Sequence, residues 1–457
     1  MYRKVLHFMS IRFLLPLLLL PVLMVQATES EIKTLTLGQA INLALESNLS
    51  LKQSTNQIAL GKIGVQRAKA NFYPDLNASG RATESYDKSL NSSSGQYDAG
   101  HSGSVSISAD STFNLFNGFY DIASLQQSKL ELQAINKNLE RTRQAIIFEA
   151  ISRFIGVVTA QELITVEQGN LKAQQQLLGQ VEDFYKSGRR PVTDFYQQNA
   201  EISQAEYRLL EAERNYNVFK LQLLQFLGLQ PNINYNVVDP GLDTLTALVA
   251  ELDKDALVKE ALQNRTDITA QNLLIQAAGK EIKVARSGYW PKLSLFAGLG
   301  SSYSDMNKSA NFSHQLFDNN LSGHFGLSLS IPVFDKFRTR YNVASAIINL
   351  ENQHLEMEKL TRQVSVEVQQ AIEDYGTAGK QMDVAENQLK YSTSALESIQ
   401  ERYNVNAATM TELTQVRATY LQSSYNRVTA RFNLLLRGIA VAFYRGDSQA
   451  MMAYLNK

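Results

Sequence analysis

The sequence contains one unit twice, and this internal duplication limits the possible folds more than any other feature. Along the 457-residue chain, residue types recur after 217 to 218 positions. Pro74 recurs as Pro291, and Gly228 recurs as Gly446. Further matched pairs are Ala44 and Ala261, Ile58 and Ile275, Ala68 and Ala285, Leu76 and Leu293, Tyr185 and Tyr403, Gln197 and Gln415, and Tyr207 and Tyr425. Such self-similarity predicts two structurally equivalent halves.

Long proline-free stretches in each copy predict unusually long helices. No proline lies between Pro74 and Pro191 or after Pro332, and proline disrupts helix interiors. Apolar residues recur there every seven positions, as in helices packed side by side as coiled coils; they include Leu132, Leu139, Ile146, Leu171, Leu178 and Tyr185, and then Leu350, Met357, Val364, Leu389, Leu396 and Tyr403. We predict long helices over 120–186 and 335–403, each about 100 Å long at 1.5 Å per residue, and shorter ones over 36–46, 51–72, 192–228, 252–264, 268–288 and 410–445.

Four segments of alternating polarity predict strands, two in each copy. They cover 76–86, 104–116, 293–303 and 321–331, and the polar stretches 87–100 and 304–320 are expected to be exposed loops. One face carries Leu, Phe, Ile and Val, and the other carries small uncharged residues. Two interpretations are open: hairpins packed on the helices of a soluble protein, or strands of a transmembrane barrel with a polar interior. Aromatic residues near the strand ends and strand lengths of about ten residues favour the barrel.

Four strands are too few to form a closed barrel. An open strand edge in lipid leaves backbone groups unpaired, at a cost of several kcal/mol each. If these strands lie in a membrane, the chain must therefore oligomerise. Two chains would supply about eight strands around a filled interior, and three would supply about twelve around an aqueous channel.

The first 27 residues predict a cleaved export signal. Arg3, Lys4 and Arg12 accompany an apolar run over 13–25, which ends in the small-residue pattern Val25-Gln26-Ala27. A membrane-spanning helix needs roughly 20 apolar residues, and this run is shorter. We therefore expect cleavage rather than a membrane anchor.

Composition argues against several classes of function. Lys plus Arg and Asp plus Glu each total 44, so the chain lacks the basic excess of nucleic-acid-binding proteins. The absence of cysteine excludes disulfides, thiolate metal sites and thiol nucleophiles. The five histidines and the acidic residues show no metal-ligand spacing, and no glycine-rich phosphate loop is present. We expect no enzyme activity, no metal, no cofactor and no nucleic-acid partner.

Taken together, the motifs resemble those of the TolC family of outer-membrane channel proteins. The resemblance covers essentially the whole mature chain and includes the duplication and the run Leu37-Gly38-Gln39-Ala40-Ile41 through Asn48. It also includes two helix-to-strand junctions, Ala68 to Leu76 and Ala285 to Leu293. Two helix-turn-helix tips complete it, from Tyr185-Lys-Ser-Gly188 to Thr193-Asp194 and from Tyr403-Asn-Val-Asn406 to Thr411-Glu412.

This resemblance implies an α+β membrane protein and a passive exit duct of a tripartite efflux pump or type I secretion system. It implies a homotrimer with a 12-stranded barrel in outer-membrane lipid and a 12-helix tunnel in the periplasm, and as partners a periplasmic adaptor (membrane fusion) protein and an inner-membrane pump or ABC exporter. The expected units are the signal 1–27, repeat 1 over 28–228, an equatorial linker over 229–251, repeat 2 over 252–446 and a tail over 447–457. A periplasmic coiled-coil scaffold without a pore is the alternative.

The same resemblance implies a gate at the periplasmic helix tips. Asp194 with Thr193 is expected to face Tyr403, and Glu412 is expected to line the constriction. The turns are expected to dock the adaptor through Gly188, Arg189, Arg190, Asn406 and Ala407.

The chain departs from the family pattern in three places. Ala408 stands where some relatives carry a gating arginine, and Gln415 stands where a second acid can lie. Leu49 and Arg265 stand where proline often follows the asparagine. The first two departures put in doubt whether the gate is held by the same contacts as in relatives. The cargo is left open.

Overall fold

The computed structural model describes residues 33–91, 96–231, 235–238 and 253–447, with the backbone alone for 89–91 and 96–99. The expected signal 1–27 and most of the expected linker 229–251 and tail 447–457 lie outside the described residues. The element bounds are β1 Lys33–Leu35, α1 Leu37–Ser47, α2 Leu49–Ala70, β2 Asn77–Asn91, β3 Gln96–Asn117, α3 Tyr120–Lys186, α4 Val192–Phe226, β4 Tyr235–Val237, α5 Lys254–Asn264, α6 Thr266–Arg286, β5 Lys292–Ser304, α7 Phe312–His314, β6 Ser322–Ser330, α8 Arg338–Asn404 and α9 Met410–Arg445.

Both copies use the same order of elements, with two short helices, a hairpin, a 67-residue helix and a final helix of 35 or 36 residues. Helix α1 begins with a capping box. The Thr36 hydroxyl accepts from the Gln39 N–H at 3.3 Å, and the Gln39 side chain accepts from the Thr36 N–H at 3.0 Å. These bonds satisfy backbone groups that have no partner inside the helix.

Strands β2, β3, β5 and β6 form one antiparallel sheet in that order. The pairing of β3 with β5 joins the two copies, with Ala109 opposite Leu299. The hairpin of β2 and β3 is longer than predicted, because backbone pairing continues to Asn91 opposite Gln96. The prediction of a loop over 87–100 was therefore wrong. Backbone hydrogen bonds extend this hairpin where alternation of apolar and polar side chains gives no signal.

One face of the sheet is apolar, and most of its side chains are exposed in the described part of the chain. Leu299 is 61% exposed and Phe325 is 87% exposed; Leu295, Leu327, Leu329 and Ile331 are also exposed on this face. The opposite face carries small polar residues such as Ser108 and Ser294. Across the described ranges, no helix contains an apolar run long enough to cross a bilayer.

The helices bury their apolar residues in three clusters. The largest joins α1, α3, α4 and α9 around Phe154, Ile151 and Ile439, all fully buried. A second cluster lies among α5, α6 and α8, and a third lies at the ends of α3, α8 and α9. Helix α3 packs against α6 and α9 of the other copy. The long helix therefore holds the two repeats together.

The two copies differ at the break between their short helices. In the first copy, the Asn48 side chain caps α2 by accepting from the N–H groups of Ser50 and Leu51 at 2.9 and 3.2 Å. In the second copy, Arg265 occupies the equivalent N-cap position and makes no side-chain cap. Arg265 is thus equivalent to Asn48, and the sequence comparison that paired it with Leu49 was wrong by one residue.

Arg265 instead forms a buried ionic cluster. Its guanidinium contacts Asp267 at 2.7 Å and Glu367 at 2.6 Å, and its side chain is 3% exposed. Arg141 from α3 lies 3.7 Å from Asp267 and stacks over Phe443. Burial, followed by the positive charge of Arg265, lowers the pKa of Arg141 to about 10. The cluster ties α3, α6, α8 and α9 together.

We expect Arg265→Met to lower the free energy of unfolding by about 3 kcal/mol, because it leaves two largely buried carboxylates without their main cation. The exposed ion pair of Arg362 with Glu358 on α8 supplies the control, and Arg362→Met should produce no measurable change. Helical circular dichroism followed during heating in detergent would compare the two variants. Equal melting temperatures for both would contradict this role of the cluster.

Candidate functional site: the paired helix tips

The two long helical hairpins end in equivalent turns. Helix α3 ends at Lys186 and is followed by Gly188 with φ of 72°, whereas α8 ends at Asn404 and is followed by Asn406 with φ of 62°. This left-handed backbone suits glycine and is tolerated by asparagine. It reverses the chain so that α4 and α9 can start within a few residues.

Tyr403 is the central residue where the two tips meet. Its side chain is fully buried, and its hydroxyl donates to Asp194 Oδ2 at 3.2 Å. Asp194 lies in the first turn of α4 and is 9% exposed. The bond therefore joins the end of α8 in one copy to the start of α4 in the other. Thr193 is exposed and does not bond Tyr403.

Arg190 reinforces the same contact from the turn before α4. Its guanidinium lies 4.2 Å from the centre of the Tyr403 ring and donates to the carbonyl oxygens of Tyr403 and Ala408 at 2.8 and 2.9 Å. It also lies 4.0 Å from Asp194. These carbonyls belong to the end of α8 and the turn that follows it, where carbonyl oxygens can accept bonds from outside the helix. Arg190 thus clamps the second tip onto the first.

Arg190 was expected among the residues available to an adaptor. In the structure its side chain is only 12% exposed, because the guanidinium is held against Tyr403 and Ala408 within the chain. Gly188, Arg189, Asn406 and Ala407 are exposed at the turns. Arg189 stacks on Phe184 and donates to the Asn404 carbonyl at 3.2 Å.

The Glu412 side chain takes part in the cap at the start of α9. Its carboxylate accepts from the N–H and hydroxyl groups of Thr409 at 2.7 and 3.0 Å, and its own N–H donates to that hydroxyl. The backbone bond and then the hydroxyl bond lower the pKa of the Glu412 carboxyl. Glu412 and Gln415 are both exposed, so the negative charge of Glu412 faces outward from α9.

Burial and charge change the acidity of Tyr403. Burial, followed by the negative charge of Asp194, raises the pKa of Tyr403 to about 12. At neutral pH the phenol is therefore protonated and able to donate its hydrogen bond. Within the described part of the chain, no group of His, Asp or Glu side chains is arranged to hold a metal ion.

Sequence reasoning missed two buried contacts. One is the Arg190 clamp, and the other joins Tyr425 to the fully buried Glu167 at 2.5 Å. The available signal was a difference between copies: Arg190 is replaced by alanine in the second copy, and Glu167 is replaced by Ala385. Positions at which a repeat changes from charged to apolar mark where the copies make different contacts.

A family model supplies the deciding comparison. The model of the outer membrane efflux protein family matches residues 40–229 and again 257–446, once in each copy. The chain belongs to this family. Outer membrane protein TolC of Escherichia coli (strain K12) is 22% identical to it over 367 residues, which are 78% of this chain and 72% of TolC. Pyoverdine export outer membrane protein OpmQ of Pseudomonas putida is 24% identical over 388 residues, which are 83% of this chain and 74% of OpmQ.

Solved structures show the same fold at low sequence identity. CusC aligns with a TM-score of 0.77 at 17% identity, covering 90% of this chain and 92% of CusC. VceC of Vibrio cholerae aligns with a TM-score of 0.75 at 18% identity, covering 90% of this chain and 96% of VceC. The TolC-like fold expected from the sequence is confirmed.

Family membership decides between the two functions that the sequence left open. The chain is an outer-membrane efflux channel protein that extends into the periplasm, and the alternative of a pore-less periplasmic scaffold is wrong. Members of this family are transport channels rather than enzymes.

We expect the absorbance of ionised tyrosine to reveal the buried phenol. Subtracting the alkaline titration of Tyr403→Phe from that of the unaltered protein should leave one tyrosine that ionises at about pH 12. Since this folded-state pKa lies above the ordinary 10.0, burial of the neutral phenol stabilises the tip below pH 10. That contribution is lost as the pH rises toward 12.

The variant Asp194→Asn provides the control for this titration. It removes the negative charge that opposes ionisation, so the Tyr403 transition should move to lower pH. A difference curve centred at pH 10 in the unaltered protein would show that Tyr403 is not buried beside a carboxylate.

Proposed function

We propose that three copies of this chain form a closed conduit, with a 12-stranded barrel in the outer membrane and a 12-helix tunnel in the periplasm. The tunnel is held shut at the paired helix tips until a periplasmic adaptor and an inner-membrane pump or exporter engage it. Two types of helix contact carry the proposal. The repeat predicts each type twice, once for each long helix, but in the described chain only α3 makes them.

The missing contacts follow from the repeat. Helix α3 packs against α9 and α6 of the second copy. The equivalent partners of α8 are α4 and α2 of the first copy, and α8 makes no comparable packing with either in the described chain. A neighbouring chain can supply both partners. Ring closure would then repeat one type of interface around the axis.

The surfaces left uncovered are apolar, as such an interface requires. On α2, Leu60 and Ile63 are more than half exposed. On α4, the side chains of Tyr196, Tyr207 and Leu210 are also more than half exposed. The facing helix α8 exposes Ile348, Leu355, Val366, Val384 and Tyr391. Monomeric proteins rarely leave such long apolar stripes in water. Association would also pair the free edges of β2 and β6.

The tip contacts supply a lock that a partner can release. The Tyr403–Asp194 bond and the Arg190 clamp connect the two hairpins, so neither tip can move outward alone. A hydrogen bond with a charged partner is worth about 1.5–3 kcal/mol, which is small enough for adaptor binding to reverse. The adaptor would contact the exposed turn residues Gly188, Arg189, Asn406 and Ala407.

The cargo is proposed only as a class. OpmQ is a pyoverdine export protein, and a further relative, which is 20% identical, is the toxin and drug export protein A of Aggregatibacter actinomycetemcomitans. We infer export of compounds delivered by the inner-membrane partner. A passive duct with a polar interior needs no cargo-specific site.

We expect a cross-link between chains at the tips. The repeat relates Tyr403 and Asp194 to Tyr185 and Glu412, so ring closure would place Tyr185 of one chain beside Glu412 of the next. Because the chain has no cysteine, a bifunctional thiol-specific cross-linker applied to the double variant Tyr185→Cys with Glu412→Cys should yield covalent dimers and trimers on denaturing gels.

The pair Tyr403→Cys with Asp194→Cys is the matched control, because both residues lie in one chain. It should give a cross-linked monomer and no ladder. A detergent-extracted particle of monomer mass, together with no ladder from the first pair, would contradict the ring.

We expect opening of the lock to raise single-channel conductance in planar bilayers. The double variant Asp194→Ala with Tyr403→Phe removes the hydrogen bond, and Arg190→Met removes the clamp. Each should increase conductance, whereas Thr193→Val, which changes an exposed neighbour, should leave it unchanged. In the same recordings Glu412→Gln, which keeps an acceptor for the cap, should reduce cation preference. Unaltered conductance in all tip variants would contradict the gate.

A further inference from the structure

A folded turn at the connection between β5 and β6 covers one end of the apolar face of the sheet. Between β5 and β6 the chain forms α7, which continues into a helical turn over Gln315–Asn319. The Ser301 hydroxyl donates to the Leu316 carbonyl at 2.5 Å, and the rings of Tyr303 and Phe312 lie 4.8 Å apart. Ser301 and Tyr303 share one face of β5 with the exposed Leu299. The turn therefore lies on the apolar side of the sheet.

Gln315 holds this turn in one conformation. Its side chain is buried, and its amide donates to the carbonyls of Asn307 and Ala310 at 2.9 and 2.8 Å. Its carbonyl accepts from the Ser304 N–H at 3.1 Å. Three of the four hydrogen-bonding positions of the amide are thus used within the segment. The stretch 304–320 was predicted to be an exposed loop. Most of its residues are exposed, but Gln315 and Leu316 are buried and 312–319 are helical.

The exposed surface of the turn carries both apolar and polar side chains. Met306 is 72% exposed, Phe317 is 63% exposed and Phe312 is 48% exposed. His314 and Asp318, which pair at 3.1 Å, supply a polar side. Two phenylalanines and a methionine held outward by a buried hydrogen-bond network are unfavourable in water. A surface of this kind indicates an apolar partner on one side and water on the other.

We propose that this turn, residues 305–320, lies at the boundary between headgroups and acyl chains and fixes the depth of the sheet in the outer membrane. The partner is lipid because the turn continues the apolar face formed by Leu299 and Phe325. Short amphipathic segments insert their apolar side at this level, and aromatic rings are favoured there. The inference depends on the proposed placement of that face in lipid.

The chain contains a single tryptophan, Trp290, at the other end of β5, which makes a fluorescence test direct. In a Trp290→Phe background, Phe317→Trp is reconstituted into phosphatidylcholine vesicles with or without bromine near the headgroup. Bromolipid should quench its emission about twofold, and aqueous acrylamide should quench it weakly, because the side chain is in the interface.

Two matched variants separate this inference from the function on which it depends. Phe325→Trp reports on the middle of the apolar face and should be quenched by deeply brominated lipid, whereas the polar Lys308→Trp should respond to acrylamide alone. If Phe325→Trp is quenched by bromolipid but Phe317→Trp responds only to acrylamide, the turn is in water and the inference is overturned. If Phe317→Trp is shielded from both quenchers, protein covers the turn and the inference is also overturned. If neither variant is quenched by lipid, the placement of the sheet in the membrane fails as well.

Discussion

The described part of a single chain has unpaired strand edges and uncovered apolar helix faces, and the rest of the structure depends on these open surfaces. Within the described residues the sheet ends in β2 on one side and β6 on the other, and the outer edge of each strand has no strand partner. The backbone groups of such an edge find no partner in a hydrocarbon layer. Among the described residues, α8 also lacks the two types of partner that α3 has. In the proposed ring, one mode of association would complete both the strands and the helices.

The duplication explains why the deficit is regular. Because each copy supplies one hairpin and one long helix, the contact between copies inside the chain is a template for the contact between chains. The copies have nevertheless diverged where they meet. Asn48 caps a helix in the first copy, while the equivalent Arg265 anchors a buried ionic cluster in the second. In the proposed trimer, six similar repeats would make two different kinds of contact in alternation, so the symmetry would be threefold rather than sixfold.

Much of this fold was predictable from the sequence. Seven-residue spacing and missing prolines predicted α3 at its observed bounds and α8 to within three residues, because regular apolar burial along a helix is recorded directly in sequence. The length of β2 and β3 was not predictable in this way, since backbone pairing beyond Tyr86 needs no side-chain pattern. The turn held by Gln315 was missed for a related reason. Its stability comes from three hydrogen bonds to the backbone, which no periodicity reports.

The tip site was predictable only in part. The facing of Asp194 and Tyr403 followed from the family resemblance, but the clamp by Arg190 did not, because it spans 213 residues to a backbone carbonyl. Any residue type supplies such an acceptor, so the change from Arg190 to Ala408 between the copies indicates a different contact but not its partner. This arrangement has a consequence for the proposed gate. Tyr403, Asp194 and Arg190 belong to one polypeptide, so in the proposed trimer each subunit could release this contact independently of the other two. Widening of the passage would then proceed in thirds, with intermediate levels between sealed and fully dilated.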